Sequence, residues 1–134
     1  ANLMRAMLLS PLATLRLGMD ILSQDGVRVD TLVGHGGFFK TPGVGQRLMS
    51  AACGVPVTLM SSAGEGGPYG MALLAAYKPY REKYSLAGFL DLKVFANAET
   101  VTVTPYIEDV EGFIQYLGRY KKALRAEEAA AKYT

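Results

Sequence analysis

A chain of 134 residues, half of them apolar and 19% charged, has single-domain size and globular composition; disordered and collagen-like classes are excluded and a buried core is expected. The net charge of +2 is slight, and Lys and Arg are scattered until the last turns, so no basic patch of the nucleic-acid-binding kind is expected. The single cysteine, Cys53, excludes an internal disulfide and falls where a helix should bury its apolar face, which reads as a structural thiol.

From Asn2 to Gln24, Leu3, Met4, Met7, Leu8, Leu12, Leu15, Ile21 and Leu22 recur mostly at steps of three and four, the period of an amphipathic helix. Ser10-Pro11 is expected to kink or restart it. No uninterrupted apolar run approaches the length of a membrane span, and the order of charge, apolar stretch and cleavage site that marks a signal peptide is missing. A cytoplasmic protein without membrane contact is the expectation. The start at Ala1, without an initiator Met and directly in helical pattern, reads as a segment of something longer.

Asp25-Gly26 supplies a turn, and Val29 to Val33 reads as a short buried strand running into Gly34-His35-Gly36-Gly37. The next helix is expected to be capped by Thr41, with Pro42 in its first position and Gly54 closing it in the left-handed conformation; Val44, Leu48, Ala51 and Ala52 share a face. Val55 to Met60 is a second apolar strand, followed by the loop Ser61 to Gly67 and a small-residue helix from about Pro68 to Tyr77, ended by Lys78-Pro79. Beyond it, Phe89, Leu90, Leu92, Val94 and Phe95 suit a short helix or a packed loop, and Thr100 to Thr104 alternates like an edge strand. Ile107 to Arg125 is again helical, with acids in its first turns and bases in its last, the order that complements a helix dipole; the Ala-Glu-Glu-Ala-Ala-Ala run reads as a fraying end.

Strands alternating with helices predict an α/β layer structure with at least one parallel strand pair. Two strands make a small sheet with open edges, which suggests that neighbouring strands lie outside this chain. Glycines between a strand and a helix let a ligand approach the backbone closely, and the free N–H groups there favour an anion. Gly34 to Pro42 has this form but not the dinucleotide fingerprint, because Phe39 stands where the third glycine belongs; a tight strand-to-helix turn and a nucleotide site both fit the spacing.

The combination is more specific than either glycine cluster. Gly34-His35-Gly36-Gly37, a helix, a Gly-Val-Pro-Val strand, and then Gly64-Glu65-Gly66-Gly67-Pro68-Tyr69-Gly70-Met71-Ala72 resemble the C-terminal domain of FGGY-family carbohydrate kinases, nearest the ribulokinase-like or xylulokinase-like pentulose kinases, best from Val29 to Tyr77. The resemblance implies part of an actin-like ATPase (ribonuclease H-like) domain with few strands and helices packed on them. Residues 1–134 would be a nucleotide-side fragment of that domain, with 85–134 a helical C-terminal extension. By the same resemblance Gly36, Gly37 and Phe38 would pack on the adenosine end of ATP, Thr41 would stand near the adenine, and Gln46 one turn further on would be a weaker contact. The implied partners are a nucleotide, a sugar (a ketopentose) and the N-terminal kinase domain.

His35 departs from the commonest family pattern, in which a glycine or an acid precedes the glycine pair, and reads as a packed or capping residue. Lys40 could attract phosphate but is as readily a solvated lysine, and Glu65 reads as a helix-start acid. Phosphoryl transfer also needs a carboxylate base and a held metal. In the resembled family these come from the N-terminal domain, and Asp20, Asp25, Asp30, Asp91 and Asp109 lie in no Asp-x-Gly-Thr loop. The chain is therefore expected to hold no catalytic or metal-ligating residue, with Mg²⁺ bound in the other domain, and to bind nucleotide weakly or not at all alone. The alternative is a stand-alone nucleotide-binding or assembly module of kinase-like shape; a Rossmann-type oxidoreductase domain ranks last because its fingerprint fails.

Overall fold

A computed structural model describes residues 2–133. Five α-helices surround a three-stranded sheet: α1 (Asn2–Gln24), β1 (Leu32–Val33), α2 (Val44–Cys53), β2 (Val57–Met60), α3 (Gly66–Tyr77), α4 (Leu86–Phe89), β3 (Thr100–Val103) and α5 (Ile107–Ala131). The strand order is β1-β2-β3, with β1 and β2 parallel in the register Leu32 to Val57 and β2 and β3 antiparallel in the register Val57 to Val103. The parallel pair joined through a helix is as expected, and β3 is an edge strand. On its exposed face Thr58 and Thr102 pair hydroxyl to hydroxyl across the strands at 2.8 Å.

The core lies where α1, α2 and α5 meet. Leu12 and Ala13 from α1, Ala52 and Cys53 from α2, and Phe113 and Leu117 from α5 are buried together, with Leu48, Met49, Val55 and Tyr116 packed around them. Cys53 is thus the structural thiol expected, and desolvation pushes its pKa up. Gly54 closes α2 at φ 73°, donating its N–H to the Ser50 carbonyl at 2.9 Å.

Several boundaries differ from the sequence expectation for identifiable reasons. The first strand begins at Leu32 rather than Val29, since its partner starts only after Pro56, which has no N–H to give a ladder. Thr41 does not cap α2. Gly43, left-handed at φ 75°, occupies that place with no side-chain cap, and Thr41 instead accepts the Val44 N–H on its carbonyl at 3.3 Å in the preceding turn. Pro11 sits inside a continuous α1. Ser85 caps α4 by accepting the Gly88 N–H at 3.1 Å, and that short helix runs on into a π turn, Leu90–Val94.

The apolar stretch of α1 is interrupted by Arg5, Arg16 and Asp20, as expected. By length and composition alone α1 is apolar enough to cross a membrane, with a mean hydropathy of 1.2 over its best window, because Leu, Met and Ala outweigh Arg5, Arg16 and Asp20. Its middle is packed into the domain through Leu12 and Ala13, while Leu3, Met4, Met7 and Ile21 face outward. No residue of α3 is buried, although that helix is largely apolar.

Candidate functional site

The parallel strands β1 and β2 both end at one corner, and a glycine turn leaves each. In parallel α/β sheets ligands lie outside the carboxyl ends of the strands, which makes this corner the place to look. Gly34 extends the β1 ladder by donating its N–H to the Thr58 carbonyl at 3.0 Å. It is buried, and a Cβ there would stand 2.5 Å from the Phe39 ring and 2.6 Å from Leu59. Two residues on, Gly36 has φ 94° and ψ −174°, a conformation essentially reserved for glycine. Its N–H reaches the Ala63 carbonyl at 2.7 Å and ties the first glycine turn to the second.

Gly37 then opens a 3₁₀ turn, Gly37–Phe39, closed by the Phe39 and Lys40 N–H groups on the Gly36 and Gly37 carbonyls, each at 3.1 Å. An added Cβ on Gly36 or Gly37 would meet nothing within 4 Å. The backbone here is bare to solvent, the condition under which a flat ligand can lie directly on the chain.

The expected site residues divide at this point. Gly36, Gly37 and the exposed Thr41 share the open corner. Phe38 is half-buried, its ring packed toward the core and edge-on to buried Phe39 at 5.4 Å, so its backbone rather than its ring face borders the opening. Gln46 does not: it is 3% exposed, and its amide nitrogen donates to the carbonyls of Val57 at 2.9 Å and Val101 at 2.7 Å. Those bonds use both of its N–H donors, so Gln46 is a strut between strands and helix rather than a nucleotide contact.

His35 is exposed and lies beside Gly66, where an added Cβ would stand 3.0 Å from its side chain. Lys40 pairs with Glu65 at 2.9 Å, an exposed bridge between the two turns, so each charge already has a partner. Three of the aspartates are taken up in ion pairs: Asp20 with Arg16 and Lys121, Asp30 with Arg28, and Asp109 with Arg47. The better-formed hollows leave the first glycine turn aside, and the larger of them reaches the start of the second turn at Ser61 and Ser62. One of about 400 Å³ lies between α1 and Gly26 to Val29, and another of about 500 Å³ lies beyond β2 among Met60, Tyr69, Phe95 and Asn97. An open glycine corner gives little enclosed volume, so bare backbone and strand-end position identify it where cavity size does not.

The cluster at the start of α2 has no counterpart among the sequence expectations. Arg47 forms a two-point ion pair with Asp109 and lies over the Tyr106 ring at 4.9 Å, and Asp109 holds the guanidinium pKa above its ordinary value. Positions 62 residues apart share no periodic signal, and Asp109 in a first helical turn is accounted for by the dipole alone.

Helices packed on a small sheet with a parallel strand pair make this an α/β domain, and its family match makes it part of an actin-like ATPase domain. Residues 1–78 match the family model described as the FGGY family of carbohydrate kinases, C-terminal domain. The chain belongs to the FGGY family of carbohydrate kinases. No curated protein and no solved structure matches it. The family match ends at Lys78, before β3 and α5.

Proposed function

We propose that this chain is the nucleotide-side part of an ATP-dependent sugar kinase, in which the adenosine end of ATP lies on the bare backbone of Gly36 and Gly37. Thr41 borders it through its side chain and Phe38 through its main chain. The carrying observation is that a Cβ at either glycine would meet nothing, while the neighbouring Gly34 is tightly packed. The ligand's space is therefore left open by the fold, at the strand ends where an α/β sheet receives nucleotides.

The full enzyme transfers the γ-phosphate of MgATP to a hydroxyl of a ketopentose by in-line displacement, a reading supported by the resemblance of the two glycine turns to those of pentulose kinases. Such transfer needs a carboxylate to take the hydroxyl proton and charge stabilisation at the phosphates. The donor set at the corner does not suit Mg²⁺: Glu65 is held by Lys40, and among the described residues no three His, Cys, Asp or Glu side chains stand together. We assign base and metal ligands to the N-terminal domain, and this chain the task of holding and orienting the nucleoside. The apolar side chains left outside on α1 and α3, Met4, Met7, Ile21, Met71 and Leu74, suit burial by that domain and the rest of the sheet. A cytoplasmic location goes with such an enzyme.

With one wall of the site present, the chain alone binds ATP weakly and does not turn it over. Calorimetry of the chain with MgATP and a ketopentose tests this: heat of weak binding without sustained reaction heat is expected. Sustained turnover would show that the base lies in this chain.

A further inference from the structure

Two neighbouring residues at the start of α2 leave the helix in different directions, one buried and one exposed, and both end on the segment beyond the family match. Gln46 points inward, and one of its two amide bonds goes to Val101 in β3. Arg47 points outward to the first turn of α5, where its Nη2 donates to Asp109 Oδ1 at 3.1 Å, its Nε donates to Oδ2, and its guanidinium covers Tyr106. An amide fixed on two strands and a planar fork fixed on a carboxylate are both orientation-specific contacts. Placed about 100° apart around one helical turn, the two contacts together resist rotation of α2 about its axis.

That turn leads directly into the open corner. The Arg47 N–H bonds the Gly43 carbonyl at 3.0 Å, and Val44 bonds back to Thr41 at 3.3 Å, so Thr41, Pro42 and Gly43 join α2 to the 3₁₀ turn with little slack. We propose that β3 and α5 brace the nucleotide corner through Gln46 and Arg47, which act as positioning residues: they touch no ligand and set where Gly36 to Thr41 stands relative to the sheet. The residues after Lys78 are then a working part of the nucleotide domain. The proposal rests on the reading of that corner as the adenosine site.

The test uses the whole chain and two readouts, amide hydrogen exchange at Gly36, Phe39, Lys40 and Val44 without nucleotide, and the Kd for ATP from amide shifts. Asp109→Asn is expected to speed exchange at those four amides and to raise the Kd, each by up to about fivefold, the upper worth of an exposed ion pair. Protection around Leu12 in α1 stays unchanged. The exchanged pair Arg47→Asp with Asp109→Arg recovers much of both losses. Gln46→Met, which keeps length and loses the donors, gives a larger effect of the same kind; where it unfolds the chain, the variant at the half-buried Asp109 carries the test. Wild-type exchange in Asp109→Asn, or a loss that the exchanged pair leaves unrepaired, overturns the brace. Faster exchange at the corner in a chain that shows no ATP shifts upholds the brace and removes the adenosine reading instead.

Discussion

The two glycine turns stand side by side at the ends of β1 and β2, yet they use glycine for different reasons. In the second turn the missing side chain of Gly66 makes room for His35, while Gly64 stands at ordinary contact distance from Lys40 and Gly67 is open. In the first, Gly34 makes room for Phe39 and Leu59, Gly36 supplies a backbone conformation that other residues resist, and Gly37 does neither. Open Cβ space alone does not single out Gly37, since Gly67 in the second turn shares it; Gly37 stands out because it follows the end of β1 directly beside the strained Gly36. Glycine content marks a region, and the surroundings of each Cβ position sort packed glycines from open ones.

Substitutions by alanine break this comparison apart, and the largest effects belong to the packed glycines. At Gly45 a Cβ would stand 2.5 Å from the Phe38 carbonyl oxygen, backbone that cannot swing aside, so Gly45→Ala is expected to destabilise by about 3 kcal/mol in urea unfolding. Gly34→Ala meets ring and methyl atoms that yield somewhat, and about 2 kcal/mol is expected. Gly36→Ala has open space but strained backbone, for about 1–2 kcal/mol without any clash. A loss at Gly36 as large as that at Gly45 would mean that the corner is packed, not open.

The closed end of α2 sharpens the same contrast through pH. Burial raises the Cys53 thiol pKa in the folded chain, so the native state keeps a proton that the unfolded state releases. Its contribution is fully present below the unfolded thiol pKa of about 8.5 and is lost as pH rises through the folded value. Cys53→Ala should therefore flatten the fall in stability at alkaline pH, and a slope identical to the parent chain's would contradict the burial account. The smallest effect is expected at the bridge between the turns: Lys40→Met should change stability by less than about 1 kcal/mol, because both partners are well exposed.

Much of this was legible in the chain. Helix periods, the parallel pair, the left-handed stop at Gly54 and the buried Cys53 follow from local pattern and propensity, which tertiary packing here reinforces. The corner was legible as a glycine cluster after a strand. The cap at Thr41 misled because Gly43 turns the chain between Pro42 and the helix, and a positive φ leaves no trace in a polar pattern. Gln46 misled for a different reason: its spacing from the glycines suits a ligand contact, and only the return of β3 beside β2 supplies the two carbonyls that claim its amide.

The central claim is that nucleotide lies on bare backbone, and Gly37 isolates it. In a titration of the chain with millimolar ATP followed by amide shifts, the responses should concentrate at Gly36, Gly37, Phe38 and Thr41. Gly37→Val should abolish them while leaving the urea midpoint nearly unchanged. Shifts centred elsewhere, or a Gly37→Val chain that binds ATP as the parent does, would contradict the account.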